Sequence, residues 1–138
     1  MKVLFDTNIV LDLMLDREPF SKPAAILFSM VESGTISGLL SATTITTIHY
    51  LAAKVIGKQK AEIEITKLLS LFKIAAVNQA VLSQAIQRNW PDFEDAVVYE
   101  AALQSGAEAI TTRDLKGFKD SRISILTPEE SIQLLSFD

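Results

Sequence analysis

A chain of 138 residues is one domain's length, and 49% hydrophobic with 22% charged residues is the composition of a folded globular protein, not a disordered one. It has no cysteine and one histidine, His49, so disulfide scaffolds, iron–sulfur clusters, thiolate zinc sites, cysteine nucleophiles and multi-histidine metal sites are excluded. Any bound metal must rest on oxygen ligands, and a net charge of −4 means that a nucleic-acid partner would need a local basic patch and metal ions.

The N-terminus, Met1-Lys2-Val3-Leu4-Phe5, meets Asp6 too soon for a signal peptide, whose apolar region must be unbroken. The stretch from Ser33 to Ala53 has no charged side chain, but its serines, threonines and glycines make it too polar for a membrane span. The expectation is a soluble, cytoplasmic protein. In chain order, Val3–Phe5 reads as a strand and Asn8–Leu15 as a short helix. Pro23–Glu32 is a second helix, closed by Gly34 as a left-handed cap, and Ile36–Leu40 is a second strand. Thr43–Ile56 is a helix with Ile45, Ile48, Leu51, Ala52 and Val55 on its apolar side, stopped by Gly57. Lys60–Phe72 is the next helix, Ile74–Val77 a strand, and Gln79–Arg88 another helix. Trp90-Pro91 breaks the chain, because the residue before proline disfavours helix. Asp92–Gln104 is a strongly apolar helix, Ala109–Thr111 and Ile123–Ile125 are strands, and Pro128–Leu135 is a closing helix. Strands separated by helices make βαβ units, so the expected fold is a single α/β domain over residues 1–138, with helices on both faces of a parallel sheet.

In open parallel sheets, function sits beyond the carboxyl ends of the strands. Asp6-Thr7-Asn8 follows the first strand, and Thr112-Arg113-Asp114 follows Ala109–Thr111. Asp92-Phe93-Glu94-Asp95 opens the apolar helix. Three segments can therefore bring acids to one rim. Two carboxylates about 5 Å apart repel by roughly 3 kcal/mol at an effective dielectric near 20, so a group of them needs protonation, basic partners or a hard cation. With few convergent basic residues beyond Arg113, a divalent cation fits best, and oxygen-only ligation suits Mg²⁺ or Mn²⁺. Phosphoryl chemistry is the reaction such a site serves.

The same acids have structural readings. Asp92 with Asp95 forms a D-x-x-D capping arrangement, Asp6 can cap the helix that follows it, and Asp114 can cap a turn through Leu115–Phe118. Glu94 reads as a solvated first-turn acid. His49, between Ile48 and Tyr50, reads as a packed or partly exposed residue. Trp90 and Phe93 read as core or lid residues rather than base-stacking platforms. Lys54, Lys58 and Lys60 read as a solvated helix junction. Arg113, Lys116, Lys119 and Arg122 form the preferred phosphate-contacting patch.

Taken together, Asp6-Thr7-Asn8-Ile9 after an N-terminal strand, Glu94-Asp95-Ala96 opening an apolar helix, and Thr111-Thr112-Arg113-Asp114 after a late strand resemble the PIN domain, the nuclease domain of VapC-type toxins and RNA-processing enzymes. The resemblance spans nearly the whole chain. It implies a three-layer α/β/α sandwich and a Mg²⁺- or Mn²⁺-dependent endoribonuclease that leaves 5′-phosphate and 3′-hydroxyl ends. It also implies a homodimer and, for toxin members, a cognate antitoxin. By position, Asp6, Asp95 and Asp114 match the family's metal-binding and catalytic acids, and Asp92 could add a ligand directly or through water. Thr7, Asn8 and Thr112 match polar positions that orient carboxylates or phosphate, with Arg113 beside them. One position departs: Thr47 stands where the family places a glutamate, and either Asp92 or Glu94 could compensate.

The competing reading is a PIN-like module that binds RNA or protein with little or no turnover. Two phosphotransfer families fit less well. Haloacid-dehalogenase-like enzymes carry D-x-D after the first strand, where this chain has Asn8. Receiver domains need a second acid beside Asp6.

Overall fold

The structure is a computed structural model that describes residues 1–136. Its strands are β1 (Lys2–Phe5), β2 (Ser37–Ser41), β3 (Lys73–Ala75), β4 (Ala109–Thr111) and β5 (Ser124–Leu126). Its helices are α1 (Thr7–Met14), α2 (Ser21–Glu32), α3 (Ala42–Ile56), α4 (Lys58–Leu71), α5 (Gln79–Arg88), α6 (Phe93–Gln104) and α7 (Pro128–Leu135), with a 3₁₀ turn at Leu115–Phe118. The strands form one parallel sheet in the order β3-β2-β1-β4-β5.

Alternation along β1 divides the core. Leu4 lies in register with Leu39 of β2 and Ile110 of β4, and all three pack with α5 and α6. Val3 and Phe5 point to the other face, against Ile9, Leu27, Ile48, Leu68 and Leu135 from α1, α2, α3, α4 and α7. Side chains two apart share a face of a strand, so a buried strand with apolar residues at every position must be covered on both sides. The result is the expected three-layer α/β/α sandwich.

Helix α6 is buried from Ala96 through Ala102, which explains why its sequence lacks an amphipathic period. Its one buried charge, Glu100, pairs with the guanidinium of Arg88 on α5. The expected strand Ile74–Val77 is instead Lys73–Ala75: the ladder with β2 ends at Ala75, and Asn78 turns the chain into α5 by accepting a hydrogen bond from Val81 N at 3.0 Å. Gly34 follows α2 with φ +84°, the left-handed conformation expected of it. Among the described residues, no helix is long and apolar enough to cross a membrane.

Candidate active site

The strand order sets the position of the site. From β1 the chain winds outward through β2 and β3, then crosses to the other side of β1 to form β4 and β5. The carboxyl ends of β1 and β4 flank the point where the winding reverses, and such a crevice is where open α/β sheets bind ligands. Asp6 follows β1, and Thr112–Asp114 follow β4. Helix α6 feeds into β4, so it runs back along the sheet and its first turn, with Glu94 and Asp95, begins at the same rim.

Asp6 is the best-held member. It is only 6% exposed, and its Oδ2 accepts from Thr112 Oγ1 at 2.8 Å while Oδ1 accepts from Thr7 N at 2.8 Å. The second bond is the cap of α1. Burial drives the Asp6 carboxyl above its ordinary pKa, and the charges of Glu94 and Asp114 push the same way against those two hydrogen bonds. Thr112 Oγ1 also accepts from Asp114 N at 2.9 Å, so one hydroxyl ties the first acid to the backbone of the third. Asn8 lies at the limit of hydrogen bonding, 3.5 Å from Asp6 Oδ2 through Nδ2 and 3.5 Å from Arg113 N through Oδ1. Thr7 Oγ1 meets Thr44 Oγ1 of α3 at 3.0 Å.

Asp95 is half-buried, and its pKa is pushed up to about 7. Burial is the largest cause, followed by the charges of Asp6, Asp92, Asp114 and Glu94. The five acids therefore act on one another and are not scattered over the molecule. The capping roles are present too. Asp92 caps α6 by accepting from Asp95 N at 3.2 Å, and Asp114 caps the 3₁₀ turn by accepting from Gly117 N at 3.3 Å. Capping and convergence are compatible here because all three capped N-termini open onto the same crevice.

Gly117 explains how Asp95 and Asp114 come so close. A Cβ there would stand 2.6 Å from Asp95 Oδ2 and 3.0 Å from Asp114 Oδ2, so any larger residue would have to displace both carboxylates. The absence of a side chain leaves a small cradle between the two acids.

Arg113 corrects the sequence expectation. Instead of standing free for phosphate, its guanidinium grips Asp12 of α1 through Nε at 2.6 Å and Nη2 at 3.0 Å, and lies 3.9 Å from the ring centre of Phe20. Asp12 is 1% exposed, so a bidentate arginine is what lets its charge remain buried. Arg113 thus anchors the loop after β4 to α1. Among the described residues, none of Asp6, Asp92, Glu94, Asp95 and Asp114 forms an ion pair.

The donor chemistry fits a hard dication: oxygen ligands only, mutual repulsion and no competing base. Among the described residues, no three acidic or histidine side chains already surround a common point as a metal cage. Ligation would therefore require the less buried carboxylates, Asp95 and Asp114, to draw in towards Asp6. At the departing position, Thr47 Oγ1 donates to Glu94 Oε1 at 3.4 Å. Glu94 thus brings its carboxylate to the point on α3 where the family carries a glutamate, and its charge is felt by both Asp6 and Asp95.

Three participants escaped the sequence reading. Asp12 was legible as the one acid on the buried side of an apolar helix, which demands a partner. Gly117 was signalled by the spacing D-x-x-G after Asp114. Thr44 left no signal among the many threonines of its segment. His49 is the partly exposed structural residue expected of it, 3.5 Å from Glu62 and linking α3 to α4.

A model of the PIN domain family matches residues 2–116. This chain belongs to that family. The PIN domain is 29% identical over 134 residues to Ribonuclease VapC1 of Aquifex aeolicus, covering 94% of this chain and 92% of that protein. Its fold is also that of a toxin–antitoxin complex from Klebsiella pneumoniae, with TM-score 0.68 and 23% identity over 91% of this chain and 97% of that one. DNA-bound VapBC from Salmonella typhimurium is similar too, with TM-score 0.72 and 16% identity over 93% and 98% of the two chains. At such identities these structures speak for the fold alone.

Proposed function

We propose that this PIN domain is a Mg²⁺- or Mn²⁺-dependent endoribonuclease and the toxin of a toxin–antitoxin pair. The observation that carries the reading is the meeting of Asp6, Asp95 and Asp114 at the β1/β4 crevice, where among the described residues none of them forms an ion pair. Asp6, Asp95 and Asp114 would hold the cation, with Asp92 and Glu94 adding negative charge around it. When bound, the cation would supply Lewis acidity at the phosphate and lower the pKa of the attacking water. Thr112 and Thr7 hold Asp6 in one orientation, and the Arg113–Asp12 pair fixes the loop that carries Thr112 and Asp114. Asp95, whose carboxyl is pushed up to about 7, would hold the cation in its ionised form.

Two features support an antitoxin. The similar solved structures include toxin–antitoxin complexes. Between α1, α2 and α4 lies a groove of about 480 Å³, with Leu13, Phe28, Leu68 and Leu71 in its wall and Glu32, Glu64 and Lys67 along it. It offers an apolar helix a seat and charged residues a register. A homodimer is part of the same proposal on family resemblance.

Metal binding is testable without activity. A cation selective for the native state raises the melting temperature, by about 2.7 kcal/mol in stability at a hundred times its Kd. Titrating Mn²⁺ into the protein is expected to raise Tm by several degrees, and to leave Tm unmoved in the Asp6→Asn variant. An unchanged wild-type Tm at millimolar Mn²⁺ would favour the alternative suggested by Thr47, a PIN fold that binds a partner without turnover.

A further inference from the structure

A second cavity, of about 250 Å³, adjoins the acid cluster and is walled by Trp90, Pro91, Lys116, Gly117, Lys119 and Asp120. Gly117 belongs to both places: it forms the wall of this cavity and also lies against the carboxylates of Asp95 and Asp114. We propose that this cavity seats the nucleotide adjacent to the scissile bond of a single-stranded RNA, with the base against Trp90 and its phosphate near Lys116 and Lys119. The inference rests on the ribonuclease reading and specifies where its substrate lies.

The indole is prepared for this. The sequence suggested core or lid for Trp90, and the structure gives it one packed side and one open one. On its inner side it is braced by Tyr99, with ring centres 5.0 Å apart, and edge-on by Phe118 at 6.0 Å. Arg88, locked to Glu100, lies over Tyr99 and 5.8 Å from the Trp90 ring centre. The remaining surface of the half-buried indole lines the cavity. A braced aromatic ring in a mainly apolar pocket with lysines on its wall is what an unstacked base uses, whatever its identity. The size suits one base rather than an extended ligand, since it falls just short of ordinary drug-sized sites.

The lysines answer the electrostatic problem. Five acids surround the reaction centre in a chain of net charge −4, so a polyanion needs local positive charge next to them. Lys116 and Lys119 are exposed, sit on the turn that carries Gly117, and among the described residues form no ion pair. Arg113, next to Asp114 in the sequence, is committed to Asp12.

Trp90 is the only tryptophan of the chain, so its emission reports on the cavity directly. The probe is random-sequence RNA of about ten nucleotides, titrated into Asp6→Asn protein in Mg²⁺ buffer so that little is cut. Tryptophan emission and the anisotropy of end-labelled RNA are followed together. RNA is expected to quench Trp90 in step with the anisotropy rise. Trp90→Ala should weaken binding roughly 5- to 100-fold, the scale of one lost base stack, whereas Trp90→Phe should keep most of the affinity. Because Trp90→Ala also removes packing from Tyr99 and Phe118, the surface pair Lys116→Gln with Lys119→Gln provides the independent arm. It should weaken binding and flatten its salt dependence. RNA that binds with Trp90 emission unchanged and full affinity in the lysine variant would overturn the subsite while leaving the ribonuclease reading intact. RNA that binds neither the Asp6→Asn protein nor the wild-type protein in Mg²⁺ buffer would overturn both.

Discussion

Asp6→Asn should abolish Mn²⁺-supported RNA cleavage, with a loss on the order of 10³-fold, the scale seen when one preorganised electrostatic group is removed from an active site. The variant should fold. Asparagine has the shape of aspartate, its amide oxygen can still accept from Thr7 N, and its amide NH₂ can donate to the Thr112 hydroxyl, which now accepts. It also removes a buried carboxyl whose ionised form the site disfavours. Circular dichroism and thermal unfolding check the fold, and a gel assay on labelled RNA checks the activity. Wild-type cleavage by a folded Asp6→Asn protein would take Asp6 out of the chemistry.

Asp95→Asn should have the same effect on cleavage and should stabilise the metal-free protein above neutral pH. The Asp95 carboxyl is pushed up to about 7 in the folded protein, well above the ordinary carboxylate range, so the native state binds its proton more tightly than the unfolded chain does. A group shifted that way contributes stability that is fully present below about pH 4 and is lost as pH rises through about 7. The metal-free protein should therefore weaken across that window. Asp95→Asn removes this contribution to the slope and is expected to be more stable than wild type at pH 8 by about 1–2 kcal/mol, after allowance for solvent screening of a half-exposed group. Asp6, also raised, leaves a residual slope of the same sign in the variant. Urea unfolding with chelator present, from pH 4 to 8, measures the difference. Identical pH dependence in the two proteins would mean that Asp95 does not feel its neighbours. Added Mn²⁺ should reverse the order at pH 8, because the cation favours the ionised carboxylate that only wild type has.

Most of the architecture was legible because each element carried its own signal. Val3-Leu4-Phe5 has no polar position, as a central parallel strand requires, and α6 lacks an amphipathic period because it is buried along most of its length. Edges were less legible. The third strand was placed at Ile74–Val77, but it runs Lys73–Ala75, since pairing with β2 and the Asn78 cap decide where it stops. The acids of the site were legible through a rule about strand ends, and their mutual influence follows from strand order, which no local pattern encodes. Arg113 shows the limit most clearly. Its place beside Asp114 suggested phosphate, yet a long-range partner, Asp12, takes its guanidinium, and only the packing of α1 against the loop after β4 reveals this. Glu94 is the converse case. Read alone it was a solvated first-turn acid, and its link to Thr47 places it where the family's missing carboxylate would act.

The most direct test is anomalous diffraction from crystals soaked in Mn²⁺. A peak bound by the carboxylate oxygens of Asp6, Asp95 and Asp114 is the expected result. An ion held elsewhere, or density at millimolar Mn²⁺ showing these three carboxylates with no metal between them, would contradict it.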